Sequence, residues 1–357
     1  MKNTRTLIAL LTGALLSTAA YAQVEVTITG STAFRAITID RSASLFDSGS
    51  LVAITNDAAA GTITFSGTVS NAVPSLHATP TKIRLSFSGS ASGMLAVKNL
   101  TPVSTAETQG NNVNKVPDLA LSDVFPASAT PPISPTAFDA ENGAYLGVIP
   151  FLYVKNNGLT GIVNITREQA VLLMTASGLG GMPATFLGGS SPNPVYMIGR
   201  DSGSGTRISV EKDIRFVGTP TLWTTNGAGA YVSSAGLSSG GLERGVIAAK
   251  SDAIGYLGRA DLTAIQASAS AISFDGVAYS PASVQTGSYG LWGYEHIYNR
   301  AGGLSANQAL IKAALVAAIT DPTYQSSNPL YTVSFEALSQ MHVGRGADGG
   351  DIFSLDF

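Results

Sequence analysis

Two apolar runs in this chain each break at a glycine-rich loop and then give way to a helix, and this repeated order constrains the fold more than any other feature. Val24, Val26 and Ile28 alternate with polar residues, which predicts a strand. Thr29-Gly30-Ser31-Thr32 ends it, and Ala33 to Phe46 runs without proline or glycine as a predicted helix. The second instance is Val195 to Ile198, then the glycine-rich turn 199–205, then a predicted helix from about 205 to 214. Other strand candidates are Tyr145–Val154 and Ile254–Leu257. Thr166 with Gln169, and Ser305 with Gln308, have the spacing of capping boxes that open helices. Leu310, Ile311, Ala314, Leu315, Ala318 and Ile319 make the apolar face of the second of these helices. Strands alternating with helices predict an α/β fold. Residues 50–87 read as short strands, whereas the polar segment 104–116 and the Pro/Ser/Thr-rich segment 126–137 read as loops.

The N-terminus predicts export. Lys2 and Arg5 precede an apolar run, Leu7 to Leu16, that is shorter than the ~20 residues needed to span a bilayer. Ala20-Tyr21-Ala22 fits a signal-peptidase site, so residues 1–22 are expected to be a signal peptide and the mature chain to begin at Gln23. An uncleaved membrane anchor is the alternative. The chain has no cysteine, which removes disulfides, thiolate metal sites and a lipid-bearing cysteine after the leader. The formal net charge is −3, and loss of Lys2 and Arg5 makes it more acidic, which argues against a nucleic-acid partner.

The segment Gly199-Arg200-Asp201-Ser202-Gly203-Ser204-Gly205-Thr206-Arg207 concentrates the chemistry. A strand-to-helix turn presents backbone N–H groups at a helix N-terminus, where the helix dipole favours an anion. Gly203 and Gly205 permit close approach, Ser204 and Thr206 add hydroxyl donors, and Arg200 supplies a planar fork suited to an oxyanion. A plain glycine turn with a surface arginine is the competing reading. Asp201-Ser202-Gly203 is similar to a serine-protease nucleophile segment, but His77, His296 and His342 lie in no catalytic setting, and no catalytic residue is expected. The Gly-Lys-Ser/Thr ending of a nucleotide P-loop is missing. Gly344 to Asp351 reads as a C-terminal loop. The alternating aromatic positions Trp292, Tyr294, His296 and Tyr298 read as a strand packed in the core. No metal site and no cofactor are expected.

Arg-x-x-x-Ser-Gly-Thr after a strand resembles the signature of periplasmic phosphate-binding proteins of ABC transporters (the PstS-like group). Thr29-Gly30-Ser31-Thr32-Ala33-Phe34 resembles that family's first ligand loop, Ser88-Gly89-Ser90 its second, and Leu121-Ser122-Asp123 its ligand-binding aspartate. Ile165 to Gln169, Ala253-Ile254-Gly255-Tyr256 and Tyr289-Gly290-Leu291-Trp292 follow in the family's order. The resemblance implies a two-lobed venus-flytrap fold with the ligand cleft between lobes, lobe 1 comprising 23–143 and 288–357 and lobe 2 comprising 144–287. It implies ligand contacts from Thr32, Ala33, Phe34, Ser90, Asp123, Arg200, Ser204, Gly205 and Thr206, with Ser88 or Ser92 as alternatives to Ser90. Asp123 would accept a hydrogen bond from protonated phosphate, a bond that fully ionised sulfate cannot donate. The family's aspartate two residues after the arginine is Ser202 here; Asp201 is a candidate to orient Arg200 instead. The implied protein is a periplasmic monomer that delivers phosphate, or a related oxyanion, to an ABC permease in the inner membrane. A secreted surface or matrix protein that keeps the fold without transport is the alternative, followed by a phosphate-handling enzyme.

Overall fold

The computed structural model describes residues 23–57, 61–139, 145–176 and 181–356. The expected signal peptide lies outside the described residues. Among the described residues no helix is long and apolar enough to cross a membrane.

One eleven-stranded mixed sheet organises the α/β fold. The N-terminal part supplies β1 (Val24–Gly30), α1 (Arg35–Ala43), β2 (Val52–Asp57), β3 (Thr62–Thr68), β4 (Pro80–Ser86), α2 (Ser90–Asn99), a hairpin of β5 (Val103–Thr108) and β6 (Asn111–Lys115), and β7 (Leu119–Ser122). β1 pairs in parallel with both β4 and β7, so all three strands end at one edge of the sheet. The following part supplies β8 (Tyr145–Asn156), α3 (Arg167–Thr175), the strand Pro194–Met197, α4 (Gly205–Asp213), α5 (Gly240–Ala249), the strand Ala253–Gly258 and α6 (Arg259–Thr263). Pro194–Met197 runs parallel to Ala253–Gly258, which pairs antiparallel with β8. The strand Trp292–Asn299 joins the two parts, pairing antiparallel with β7 on one side and β8 on the other. It is buried throughout, and Tyr294 stacks on Tyr145 with ring centroids 4.0 Å apart.

Local chemistry explains where the elements begin and end. Both expected capping boxes form, at Thr166 and Ser305, with reciprocal bonds. A third caps the helix Pro281–Gln285 through Ser280 and Ser283, a pairing hidden in the sequence because serine replaces the usual Glu or Gln. Of the apolar face expected on the helix Ala306–Thr320, Ile311, Leu315 and Ile319 are buried while Leu310 is exposed. α1 is shorter than expected: it stops at Ala43, and Leu45 and Phe46 are buried beyond its end.

One expected loop proves to be a hairpin, and another is the turn of one. Segment 104–116 is most of β5–β6, held by the buried Arg84, which donates Nε to Glu25 (2.7 Å), Nη1 to the Ala106 carbonyl (2.9 Å) and Nη2 to Glu107. Segment 344–351 lies mostly in the turn between strands Val343–Arg345 and Ile352–Ser354. Arg345 pins that hairpin to the body through Asp213 (2.7 Å) and the Trp292 ring (4.0 Å). Segment 126–137 is a loop carrying two short 3-10 turns.

Candidate functional site

Loops at the carboxyl ends of β1, β4, β7 and Pro194–Met197 converge. In open α/β sheets this is where crevices for ligands form. Gly30 makes the first loop possible: its φ is +113°, and a Cβ there would sit 2.0 Å from the Leu121 carbonyl oxygen. After it come Thr32, buried; Ala33, partly buried; and Phe34, whose N–H donates to Ser31 Oγ at 3.3 Å. The Phe34 ring packs edge-on against Phe335.

Arg200 lies three residues beyond the end of the strand Pro194–Met197 and is only 2% exposed. Its N–H donates to Tyr256 Oη (3.2 Å). Its guanidinium is held from one side by backbone: Nε donates to the Leu237 carbonyl and Nη2 to the Ser238 carbonyl, both at 3.0 Å. Nη2 also donates to Thr32 Oγ1 at 3.2 Å, joining residues from the two parts of the sheet. Asp201 does not orient Arg200; its carboxylate accepts the Gly203 N–H (3.0 Å) and tightens the turn. Arg207 braces the turn by donating Nη1 to the Arg200 carbonyl (3.1 Å).

Asp123 follows β7 and is 1% exposed. The Ser90 hydroxyl at the start of α2 donates to Asp123 Oδ1, and the Asp123 N–H donates back to Ser90 Oγ at 3.3 Å. Thr206 Oγ1 donates to Oδ2 at 3.5 Å. Burial raises the Asp123 pKa, opposed by the Ser90 bond and the Arg200 charge. Ser90, rather than Ser88 or Ser92, touches Asp123: Ser88 pairs with Thr29, and Ser92 lies against Gly203.

The turn before α4 docks directly on the start of α2. The Gly203 carbonyl accepts the N–H groups of Ala91 (3.1 Å) and Ser92 (3.4 Å), taking the place of a side-chain cap that Gly89 cannot supply. Ser204 caps α4 by accepting the Arg207 N–H at 3.4 Å. Gly205 lies so close to Asp123 that a Cβ would fall 1.4 Å from Oδ1. Thr32, Ser90, Asp123, Arg200, Ser204, Gly205 and Thr206 are therefore brought together around one point, with Ala33 and Phe34 beside it.

Two buried acids, Glu243 and Glu295, and the partly buried Asp261 carry no signal in the sequence. Glu243 accepts the Tyr256 N–H at 3.1 Å, and burial raises its pKa well above the usual range against the pull of Arg200. Asp261 accepts from Arg244 at 2.9 Å; burial raises its pKa, opposed by Arg244, Arg200 and Arg35. Glu295 lies beside Ser31 and Asp123, and burial together with the Asp123 charge pushes its pKa well up. Isolated acidic residues on α5, α6 and a core strand carry no local motif, so only the fold assembles them.

No protein-family model matches the chain, and no curated protein matches it in sequence. Solved structures do match in fold. A candidate phosphate ABC transporter substrate-binding protein from Clostridium perfringens, solved with bound phosphate, is 14% identical with a TM-score of 0.58, over 88% of this chain and 99% of that one. An ABC-type phosphate transport receptor from Vibrio cholerae is 16% identical with a TM-score of 0.53, over 88% and 99%. The chain has the type II periplasmic binding protein fold. That fold also includes a human phosphate binding apolipoprotein, 11% identical with a TM-score of 0.53, over 88% of this chain and 91% of that one. These neighbours are binding proteins, not enzymes.

Proposed function

We propose that this chain is a periplasmic receptor that binds phosphate, or a related tetrahedral oxyanion, and delivers it to an ABC permease in the inner membrane. The ligand lies between lobe 1 (23–143 and 288–357) and lobe 2 (144–287), and no covalent chemistry is involved. The observation that carries this reading is a buried Arg200, its fork fixed by two backbone carbonyls, near a buried Asp123 that packs against Gly205 at the start of α4. Arg200, the α4 N-terminus and the hydroxyls of Thr32, Ser90, Ser204 and Thr206 favour an anion. Asp123 selects one that carries a proton, because an acceptor facing a fully ionised oxyanion leaves buried oxygens unsatisfied.

A thermal-shift screen with phosphate, sulfate, molybdate, tungstate and phosphonates tests the reading. A ligand at about a hundred times its Kd stabilises the native state by ~2.7 kcal/mol, so a shift of the melting temperature with phosphate is expected. Absence of a shift with any of these anions contradicts a transport receptor and favours a protein that keeps the fold without transport.

A further inference from the structure

Beside the oxyanion site lies a cavity far larger than an inorganic anion needs. Its volume is about 700 Å³, within the range of roughly 300–1,000 Å³ typical of small-molecule pockets. It shares Thr32 and Ala33 with the Arg200 site. Thr32 lines it and accepts from Arg200 Nη2; Ser239 lines it and follows Ser238, whose carbonyl takes the same Nη2. The remaining wall is largely apolar and includes Ile39, Leu242, Leu330 and Phe335. Leu242 is 48% exposed and Leu330 38% exposed, so both present large apolar surfaces that a tetrahedral anion at Arg200 would not cover. Charge in the wall is partly compensated: Arg244 is paired with Asp261 at 2.9 Å, and the Arg35 guanidinium lies over the Phe87 ring at 5.7 Å.

We infer that the ligand is an organic oxyanion, a phosphomonoester or phosphonate with a mainly apolar substituent, whose headgroup takes the Arg200 site and whose substituent fills this cavity. The inference rests on the oxyanion reading of the Arg200 site and adds the substrate class. An apolar group entering here would cover Leu242, Leu330 and Phe335, and burying apolar surface is favourable in proportion to its area. A cationic substituent would meet Arg35 and Arg244 against the single carboxylate of Asp261, and would lose hydration without compensation. Inorganic phosphate would gain nothing from the cavity.

Calorimetric titration of the full mature chain, stripped of bound anion by unfolding and refolding, with inorganic phosphate and with phenyl phosphate tests this. The expected result is that phenyl phosphate binds at least tenfold tighter than phosphate, and that Leu242→Trp, which fills the cavity from an exposed position, removes the difference. Leu330→Trp, at another exposed lining residue, gives a second reading should the first variant fail to fold. If phosphate binds and phenyl phosphate binds no tighter, the substrate class is wrong while the oxyanion site stands. If neither binds, the oxyanion site itself is wrong and the inference falls with it.

Discussion

Arg200 Nη2 donates to Thr32 Oγ1 at 3.2 Å, across 168 residues of sequence. This bond ties the glycine turn before α4 to the loop after β1, alongside the bonds from Ala91 and Ser92 to the Gly203 carbonyl. On the proposed two-lobed reading, it is a contact that lobe closure would form and opening would break. Thr32→Val keeps the shape and removes the acceptor. A hydrogen bond to a charged group contributes about 1.5–3 kcal/mol. Phosphate affinity measured by calorimetry should therefore fall roughly tenfold or more; unchanged affinity would detach this contact from ligand binding.

On the proposed function, Asp123 supplies the selectivity. Asp123→Asn replaces an acceptor with a group that can also donate, so a ligand without a proton is no longer penalised. The expected result in competition titrations is a narrower preference for phosphate over sulfate. An unchanged ratio would remove Asp123 from that role.

Gly205 is required by proximity rather than by its backbone angle. The Cβ of Gly205→Ala would fall 1.4 Å from Asp123 Oδ1 and 2.6 Å from Ser90 Oγ, so α4 or the Asp123–Ser90 pair must move. Overpacking of this kind costs ~1–3 kcal/mol, occasionally more. A urea midpoint lowered to match, together with weakened anion binding, is expected; a wild-type midpoint would contradict the close packing.

Asp348 makes stability depend on pH. Burial pushes its pKa up to about 6, against bonds from Ser128 and the Phe125 N–H, with the Asp123 charge adding to the rise. The folded protein therefore keeps a proton that the unfolded chain releases between about pH 4 and pH 6. Stability from this group is greatest below that window and declines as pH rises through it, by on the order of 3 kcal/mol. Asp348→Asn should flatten that part of the stability-versus-pH curve in urea titrations. An identical curve would show that Asp348 titrates normally.

The residues of the proposed anion site could be picked out because they cluster in short loops with a chemical logic of their own: Arg200 to Thr206, Thr32 to Phe34, Ser90 and Asp123. The strand–loop–helix order was legible for the same reason, since apolar periodicity and capping boxes are local. What stayed hidden depends on distant parts of the chain. The β5–β6 hairpin has almost no apolar alternation and is held by Arg84 from another strand. Asp201 looked like a partner for Arg200, but the carbonyls of Leu237 and Ser238 fill that role, and backbone acceptors leave no mark in side-chain identity. Glu243, Asp261 and Glu295 gain their character from burial around Arg200 and Asp123, which the sequence does not encode locally.

The central claim is that a buried Arg200 binds an oxyanion. Calorimetric titration of phosphate into the anion-stripped protein and into Arg200→Ala, with folding of the variant checked by circular dichroism, tests it most directly. The account predicts saturable one-to-one binding that Arg200→Ala abolishes. Phosphate binding with the same affinity in a folded Arg200→Ala protein would contradict it.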